Sequence, residues 1–203
     1  MKTHVLFLLL IMYLEVSCQS TRRNDSFISQ DKITKSSITL QYEMDLPSKV
    51  LKVGPNLEIS IGKFALHSFN SLATEIFNVS SYKARNENDP LEPGTIVLRK
   101  VQVDRSLVFE EGTTKFQHAT FASIVEFLLV KDTGESFRIL GKSHPIRTNT
   151  IPFSPNDSES EGTIETSIRS AIEIGLRKIV ASKENGSIES NQVMFQQKIE
   201  ERD

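Results

Sequence analysis

Residues 95–109 read TIVLRKVQVDRSLVF, and residues 116–130 read FQHATFASIVEFLLV. Both stretches are rich in β-branched and aromatic residues, which pack well on the pleated surface of a sheet. The segment between them contains Glu110, Glu111 and Gly112, a composition typical of a turn. The sequence therefore predicts two long consecutive strands, and the remaining elements are expected to assemble around them.

A third strand is predicted immediately after this pair. Residues 132–134 (DTG) have the composition of a tight turn, and strand-favouring residues then continue from Ser136 to about Arg147. The second and third strands should therefore form a β-hairpin. Pro145 has no backbone N–H to donate to a neighbouring strand, so it should lie at a strand end or at an edge.

The first long strand changes its hydrophobic phase near its middle. Its apolar residues fall into two sets that are out of phase, Ile96 with Leu98 and Val101 with Val103. Because side chains in a strand alternate between the two faces, both sets can face the core only if an extra residue is inserted. A β-bulge is therefore predicted near residues 99–100.

One further strand and two helices are predicted around these strands. Residues 37–44 (SITLQYEM) alternate apolar and polar side chains, as expected for a strand that is buried on one face. Apolar residues at helical spacing predict a first helix from Asn56 to about Val79, with Pro55 suited to its first turn. The same pattern predicts a second helix over about residues 163–182.

Polar segments separate these elements. Residues 82–94 and 150–162 are predicted loops because they are rich in Pro, Asn, Asp, Ser and Gly. Residues 183–203 are predicted to be a polar tail, either mobile or ordered on a partner. The element order over residues 37–182 is β-α-β-β-β-α. It predicts an α+β fold, a two-layer sandwich with two helices packed on one face of a four-stranded, mostly antiparallel sheet.

Residues 1–17 are predicted to be a signal peptide. Lys2 gives a mildly basic start, and residues 5–14 form a nearly unbroken apolar run. A helix needs about twenty apolar residues to span a bilayer, so this run is too short to span and has the length of a secretory signal core. Cys18 is the only cysteine of the chain. In an exported protein it therefore cannot form an internal disulfide.

The residues around Cys18 are similar to a bacterial lipobox, in which a small residue precedes a cysteine that is lipidated and becomes the mature N-terminus. Ser17 fits this pattern, whereas Glu15 occupies a position that is usually apolar. The resemblance implies an exported protein anchored through Cys18, and Gln19, which is not an inner-membrane retention aspartate, favours the outer membrane. The alternative is ordinary cleavage after Cys18, with Val16 three residues before the cut, which gives a secreted protein without an anchor.

Residues 18–36 are predicted to join the anchor to the folded domain. After the cysteine, the segment is rich in Ser, Thr, Asn and Asp, a composition typical of a flexible tether. Two or more acyl chains anchor a protein stably, whereas a single chain binds a membrane only marginally. A fully lipidated Cys18 would therefore hold the domain at a membrane and let it stand clear of the lipid surface.

The lipobox-like cysteine, the polar spacer and the element order together resemble the small α/β outer-membrane lipoproteins. These include the lipopolysaccharide-assembly lipoprotein LptE, the YajG-type lipoproteins and the auxiliary lipoproteins of lipid-transporting ABC systems. The segment 53–57 (VGPNL), which leads into the predicted helix ending at residues 75–79 (EIFNV), is similar to openings in that group. The resemblance spans about residues 37–182. It implies a non-catalytic accessory or scaffold in cell-envelope assembly or lipid transport, with an envelope protein as partner.

Composition and motifs argue against several other classes of protein. The 203-residue chain has a net charge of −2, whereas a dedicated nucleic-acid-binding protein is expected to be strongly basic. The sequence contains no GxSxG elbow, P-loop or GxGxxG fingerprint. His67, His118 and His144 belong to no metal-binding motif. The sequence therefore predicts no enzymatic activity, no cofactor, no metal ion and no nucleic-acid partner.

Six basic residues of the three consecutive strands are the candidate ligand-binding residues. They are Arg99, Lys100, Arg105, Arg138, Lys142 and Arg147. If their side chains align on one outward face, they form a patch suited to the phosphates of a lipid head group. Acidic residues are interleaved with them along the chain, so a solvated sheet face of mixed charge is the alternative.

Overall fold

The two long strands predicted from the sequence are both present in the computed structural model, which describes residues 37–54, 57–148 and 158–184. A single turn of 3-10 helix lies at Leu46–Ser48. The strands and α-helices of the described residues, in chain order, are β1 Ile38–Glu43, β2 Leu51–Gly54, β3 Leu57–Ile59, α1 Ile61–Ile76, β4 Val79–Arg85, β5 Thr95–Phe109, β6 Phe116–Val130, β7 Ser136–Lys142, β8 Ile146–Thr148 and α2 Ser158–Glu184. The predicted signal peptide, Cys18, the tether and most of the predicted tail lie outside the described residues.

β5 and β6 pair antiparallel along their full length, and the predicted bulge is confirmed. The register shifts between Leu98 and Lys100, so Arg99 is the inserted residue. Leu98 and Val101 both belong to the hydrophobic core, although an uninterrupted alternation would place them on opposite faces. The inserted residue therefore lets one long strand present a continuous apolar face.

The main sheet has six strands within the described residues, in the order β4-β1-β5-β6-β7, with β8 also paired to β6. β6 is antiparallel to β5, β7 and β8, whereas β1 is parallel to both β4 and β5. The sheet is therefore larger than the predicted four strands, whereas its mostly antiparallel pairing agrees with the prediction. β2 and β3 form a separate two-stranded antiparallel ribbon.

β4 was not expected from the sequence. Its residues 79–85 (VSSYKAR) fall where the pattern predicts a helix end and a loop, because few apolar side chains mark either period. Pairing with β1 decides their structure, and Leu40 of β1 lies opposite Tyr82 of β4. Tyr82 packs against the core, with its ring centroid 5.1 Å from that of Tyr42.

Both helices differ from the predicted bounds at their ends. α1 is shorter than predicted, because residues 57–59 pair as β3 and because Phe77 takes an extended backbone conformation with its side chain fully buried. α2 is longer than predicted and begins at Ser158. Glu159 lies in its first turn, where a carboxylate interacts favourably with the helix dipole. The polar composition of this turn led to the incorrect prediction of a loop.

The third predicted strand is divided into β7 and β8. Residues 143–145 interrupt it, and both parts pair with β6. Pro145 immediately precedes β8, which agrees with its predicted place at a strand end. The predicted hairpin is confirmed for β6 and β7.

α1 and α2 pack on one face of the main sheet, which agrees with the predicted two-layer sandwich. The ring of Phe69 on α1 lies 5.6 Å from the ring of Phe127 on β6. Apolar residues of α2 belong to the core, and buried hydroxyl groups add polar contacts, since Ser167 Oγ lies 2.8 Å from Ser123 Oγ and 2.9 Å from Ser143 Oγ. These mutual hydrogen bonds satisfy polar groups that would be costly to bury alone.

The opposite face of the main sheet is covered by no helix of the described residues, and we call it the open face. Its side chains on β1 and β5–β7 include Gln41, Glu43, Val97, Lys100, Ile124, Glu126, Leu128, Arg138, Leu140 and Lys142. Each of these residues alternates with core residues along its own strand, which places it on the side away from the helices.

Residues 86–94, which we call the crossing loop, connect β4 to β5 across the open face. This connection must pass β1, because β4 and β5 flank β1 and run parallel to it. Arg85 donates hydrogen bonds to the carbonyl oxygens of Glu87 (3.1 Å) and Asp89 (2.7 Å). Lys83 pairs with Glu92 at 3.3 Å. These polar contacts hold the crossing loop against the sheet.

Gly175→Ala is expected to destabilise the protein, because α2 approaches β6 so closely that an added Cβ would clash with the ring of Phe127. Overpacking a core typically costs about 1–3 kcal/mol. The matched control is Gly162→Ala in the same helix, where an added Cβ meets no other atom. This control should stabilise the protein by up to about 1 kcal/mol, because Ala has the higher helix propensity. Urea unfolding followed by circular dichroism measures both, and equal effects would contradict the packing described.

Candidate functional site

A cavity of about 530 Å³ lies on the open face, where β1 and β4 end and the crossing loop begins. Acidic and basic side chains are equally numerous in its wall, and only two of the lining residues are apolar. The twelve lining residues are Glu43, Met44, Asp45, Lys49, Arg85, Asn86, Glu87, Arg99, Lys100, Val101, Gln102 and Glu126. The cavity wall therefore presents charged side chains of both signs to any group that enters it.

Five side chains of alternating charge cross the sheet beside this cavity, one from each of five neighbouring strands. We call them the charge chain, and its members are Arg85 (β4), Glu43 (β1), Arg99 (β5), Glu126 (β6) and Arg138 (β7). Arg85 Nη1 and Arg99 Nε lie 3.1 and 3.7 Å from Glu43 Oε1. Arg99 Nη1 lies 3.3 Å from Glu126 Oε1, and Arg138 Nη2 lies 2.6 Å from Glu126 Oε2. Each carboxylate therefore lies between two guanidinium groups.

The strand registers explain how the sequence produces the charge chain. Glu43 is the last residue of β1 and lies opposite Arg85, the last residue of β4. Arg99 is the extra residue of the β5 bulge. A bulge commonly changes the direction in which a side chain points. Arg138 lies two residues from the position opposite Glu126, a diagonal distance that long side chains can span.

Glu43 and Arg85 form a buried ion pair. Their side chains are 11% and 5% exposed. Removing a charge from water costs several kcal/mol per ion, and the attraction within a pair often only balances this cost. The hydrogen bonds of Arg85 to the carbonyl groups of Glu87 and Asp89 join the pair to the crossing loop. We therefore expect the pair to fix the geometry of the cavity wall more than it raises the free energy of unfolding.

The Glu43 carboxyl group has an unusual titration. Burial raises its pKa above the ordinary value of 4.5, although the nearby guanidinium groups of Arg85 and Arg99 act in the opposite direction. The carboxylates of Glu87 and Asp45 add smaller contributions that also raise the pKa. A carboxyl group in this position keeps its proton to a higher pH than an exposed glutamate does.

The structure brings three of the six candidate basic residues together. Arg99 and Lys100 line the cavity, and Arg138 reaches the edge of the same group of charges through Glu126. Lys100 is exposed and forms no ion pair within the described part of the chain. Glu126 neutralises much of the basic character of Arg138, at 2.6 Å, and a smaller part of that of Arg99, at 3.3 Å.

The other three candidates are more dispersed. Lys142 is exposed on the open face, opposite Ile124 of β6, and Arg147 is exposed opposite Thr120. Neither forms an ion pair within residues 37–54, 57–148 and 158–184. Arg105 belongs to the other phase of β5, and its guanidinium group donates a hydrogen bond to the carbonyl oxygen of Val53. The structure therefore does not place Arg105 with the rest.

The sequence pattern predicts neither the acidic members of the site nor Arg85. Glu43 is the last residue but one of the predicted strand 37–44 and carries no distinguishing signal, and the basic member Arg85 falls in a predicted loop. Glu126 offered a signal, because it is the single charge in the apolar run ASIVEFLLV. Glu87 on the crossing loop could not have been found, since nothing in its sequence neighbourhood places it near Arg99.

The described residues contain no group of three or more His, Cys, Asp or Glu side chains arranged to hold a metal ion. No helix among them is both long enough and apolar enough to cross a membrane. Cys18, the predicted lipidation site, lies outside the described residues.

No protein-family model matches the sequence, and no curated protein matches it either. Among solved structures, rare lipoprotein B from Shewanella oneidensis matches with a TM-score of 0.48 and 12% identity, over 74% of this chain and 98% of that chain. A minor lipoprotein from Acinetobacter baumannii matches with a TM-score of 0.35 and 13% identity, over 74% and 93% of the two chains. A Helicobacter pylori protein named for its homology to a neuraminyllactose-binding hemagglutinin matches with a TM-score of 0.36 and 15% identity, over 83% and 91%.

Two of these three proteins are lipoproteins by name. The matches do not select any of the particular lipoprotein families that the sequence resembles.

Glu43→Gln is expected to change the pH dependence of stability with a definite sign. Because the pKa of Glu43 is raised above 4.5 in the folded protein, the folded state keeps this proton to a higher pH than the unfolded state does. The contribution of Glu43 to stability is therefore complete below pH 4.5 and is lost as the pH rises through the folded-state pKa.

The measurement is urea unfolding of both proteins between about pH 4 and about pH 8. The free energy of unfolding of the wild type minus that of Glu43→Gln should fall as the pH rises. A difference that rises with pH would show that the attraction of Arg85 and Arg99 for the carboxylate outweighs burial.

Proposed function

We propose that this protein is an exported lipoprotein, anchored to the outer membrane through a lipidated Cys18, that has no catalytic activity. It acts as an accessory or scaffold in cell-envelope assembly or lipid transport. The observation that carries the proposal is the lipobox-like sequence ending in the only cysteine of the chain, joined by a polar segment to an α+β domain. The anchored domain lies on either the periplasmic face or the cell-surface face of the outer membrane.

The open face supports a binding role. Helices cover only the other side of the main sheet, so the open face presents charged side chains, the cavity and exposed Leu140 to the surroundings. A sheet face with buried, mutually oriented charges is a surface on which a polar partner can be positioned, because such charges are held in fixed geometry. We propose that an envelope protein is the partner of this face.

The basic residues that remain without ion pairs extend the proposal to lipid head groups. Lys100, Lys142 and Arg147 are exposed on strands β5, β7 and β8 of the open face, and none is neutralised within the described residues. Phosphate groups bind such side chains through charge-assisted hydrogen bonds. We propose that, besides an envelope protein, a lipid head group binds the open face of the anchored domain.

The β5–β6 hairpin gives the domain an exposed tip at the end remote from the first residue of β1. β1, where the tether joins, pairs with the first residues of β5, and Thr39 lies opposite Thr95. The fifteen residues of β5 span about 50 Å at about 3.3 Å per residue. At the tip, Phe109 is 48% exposed, and its ring lies 6.2 Å from that of Phe116. We propose that an anchored domain presents this tip away from the membrane.

The second candidate function is a secreted or surface binding protein without a lipid anchor. The observation that favours it is Glu15, because a charged residue is unusual at that position of a lipobox. Val16 and Cys18 satisfy the small-residue preference of ordinary signal cleavage. In that case the open face would bind soluble ligands instead of an envelope partner.

Intact mass spectrometry of the natively expressed protein tests the anchor, with a Cys18→Ala variant as the control. We expect a mature chain that begins at Cys18 and carries added acyl mass, and we expect that mass to be absent in Cys18→Ala. The physical reason is that only the thiol of this cysteine can form the thioether to a diacylglycerol group. Detergent should then be needed to extract the wild type from membranes, but not the variant.

A mature chain that begins at Gln19 without acyl mass would overturn the lipoprotein proposal. The same result would favour the secreted alternative, because it identifies cleavage after Cys18. Membrane association that persists in Cys18→Ala would also contradict a lipid anchor at this residue.

A further inference from the structure

The charge chain contains three guanidinium groups but only two carboxylates. Each carboxylate lies closer to another arginine than to Arg99. Glu43 lies closer to Arg85 (3.1 Å) than to Arg99 (3.7 Å). Glu126 lies closer to Arg138 (2.6 Å) than to Arg99 (3.3 Å). Both buried carboxylates are therefore matched chiefly by other arginines, and the excess positive charge of the charge chain is centred on Arg99.

The third contact of Arg99 comes from the crossing loop. Arg99 Nη2 lies 3.6 Å from Glu87 Oε1, and the Glu87 side chain is 81% exposed. An exposed ion pair at this distance contributes little energy, because water and salt screen its charges. The Glu87 carboxylate is therefore an anion that already lies beside Arg99 but can be displaced at small cost.

Arg99 is also accessible, and a second cation lies beside it. Its side chain is 34% exposed and lines the cavity, as does the adjacent Lys100, which forms no ion pair within the described residues. A guanidinium group presents parallel N–H donors that match the two oxygens of a carboxylate or a phosphate. The bulge holds these two consecutive cations at the wall of one cavity.

The size and lining of the cavity limit the ligand. A volume of about 530 Å³ falls within the range of about 300–1,000 Å³ that is usual for small-molecule sites. Met44 and Val101 are the only apolar residues among the twelve that line it. A compact anion in the cavity would meet the N–H donors of Arg99 and Lys100, which are adjacent residues of its wall.

We infer that this cavity binds a small anionic group, a carboxylate or a phosphate, held by Arg99 and Lys100. Glu87 occupies the anion position in the ligand-free protein and is displaced when the ligand binds. The inference does not depend on lipidation of Cys18, so it holds equally for an anchored and for a secreted protein. The same chemistry is offered by a free organic acid or phosphate and by the head group of a lipid.

The test is a titration of the full mature chain carrying Cys18→Ala, so that no acyl group contributes to binding. The probes are inorganic phosphate and succinate at constant ionic strength, and the side-chain Nε–H resonance of Arg99 reports binding by NMR. We expect a saturable shift of this resonance. A parallel arm measures binding to phosphatidylglycerol vesicles against phosphatidylcholine vesicles, which identifies a lipid head group as the source of the anion.

Glu87→Gln is the decisive variant. It removes the competing carboxylate from an exposed position, so folding should be unaffected and binding should become up to about fivefold tighter, as expected from the energy of an exposed ion pair. Arg99→Gln should weaken binding at least about tenfold, because it removes hydrogen bonds made by a charged group. Lys63→Gln, an exposed lysine of α1 on the other side of the sheet, removes the same charge and should leave the affinity unchanged.

Three results would overturn the inference. The first is the absence of saturable binding by every probe, in solution and on vesicles. The second is an unchanged or weakened affinity in Glu87→Gln. The third is an equal loss of affinity in Lys63→Gln and Arg99→Gln, which would mean that the anions respond only to the net charge of the protein.

Discussion

The antiparallel pairing of β5 with β6 is the constraint on which the rest of this structure depends. These two strands provide the edges to which the others add, since β1 pairs with the first part of β5 and both β7 and β8 pair with β6. A slip of one residue in this pairing would turn every core side chain of a strand to the open face. The bulge at Arg99 prevents that reversal within β5, because it lets Leu98 and Val101 face the same core.

The same inserted residue connects the fold to the chemistry of the open face. Without the bulge, strict alternation along β5 would place Arg99, Val101 and Val103 on the same face. Either Arg99 would then face the core, or the two valines would face away from it. With the bulge, β5 contributes both to the core and to the cavity, and Arg99 and Lys100 follow one another along its wall. The candidate site is thus a consequence of the register that builds the core.

The charges of the open face have a structural role that is separate from net stability. Burial of Glu43 and Arg85 is costly, and their attraction is partly cancelled by that cost. In return, Arg85 joins the ends of two parallel strands to the carbonyl groups of the crossing loop. The loop in turn carries Glu87 to Arg99. The buried Glu43–Arg85 pair therefore helps to position the exposed Glu87–Arg99 pair, which can be broken at small cost.

The sequence by itself determined the local features of this protein. Side-chain period and turn composition were sufficient for β5, β6, their bulge, the β6–β7 hairpin and the existence of two helices, because these features depend on neighbours in the chain. Tertiary structure alone decided β4, whose few apolar side chains follow no clear period and which exists because β1 offers a parallel edge. It also decided the charge chain, because Glu43, Arg85 and Glu126 are far apart in sequence and meet only through strand pairing. Charged residues carry no periodic hydrophobic signal, and their partners follow from the register between strands, which local sequence does not contain.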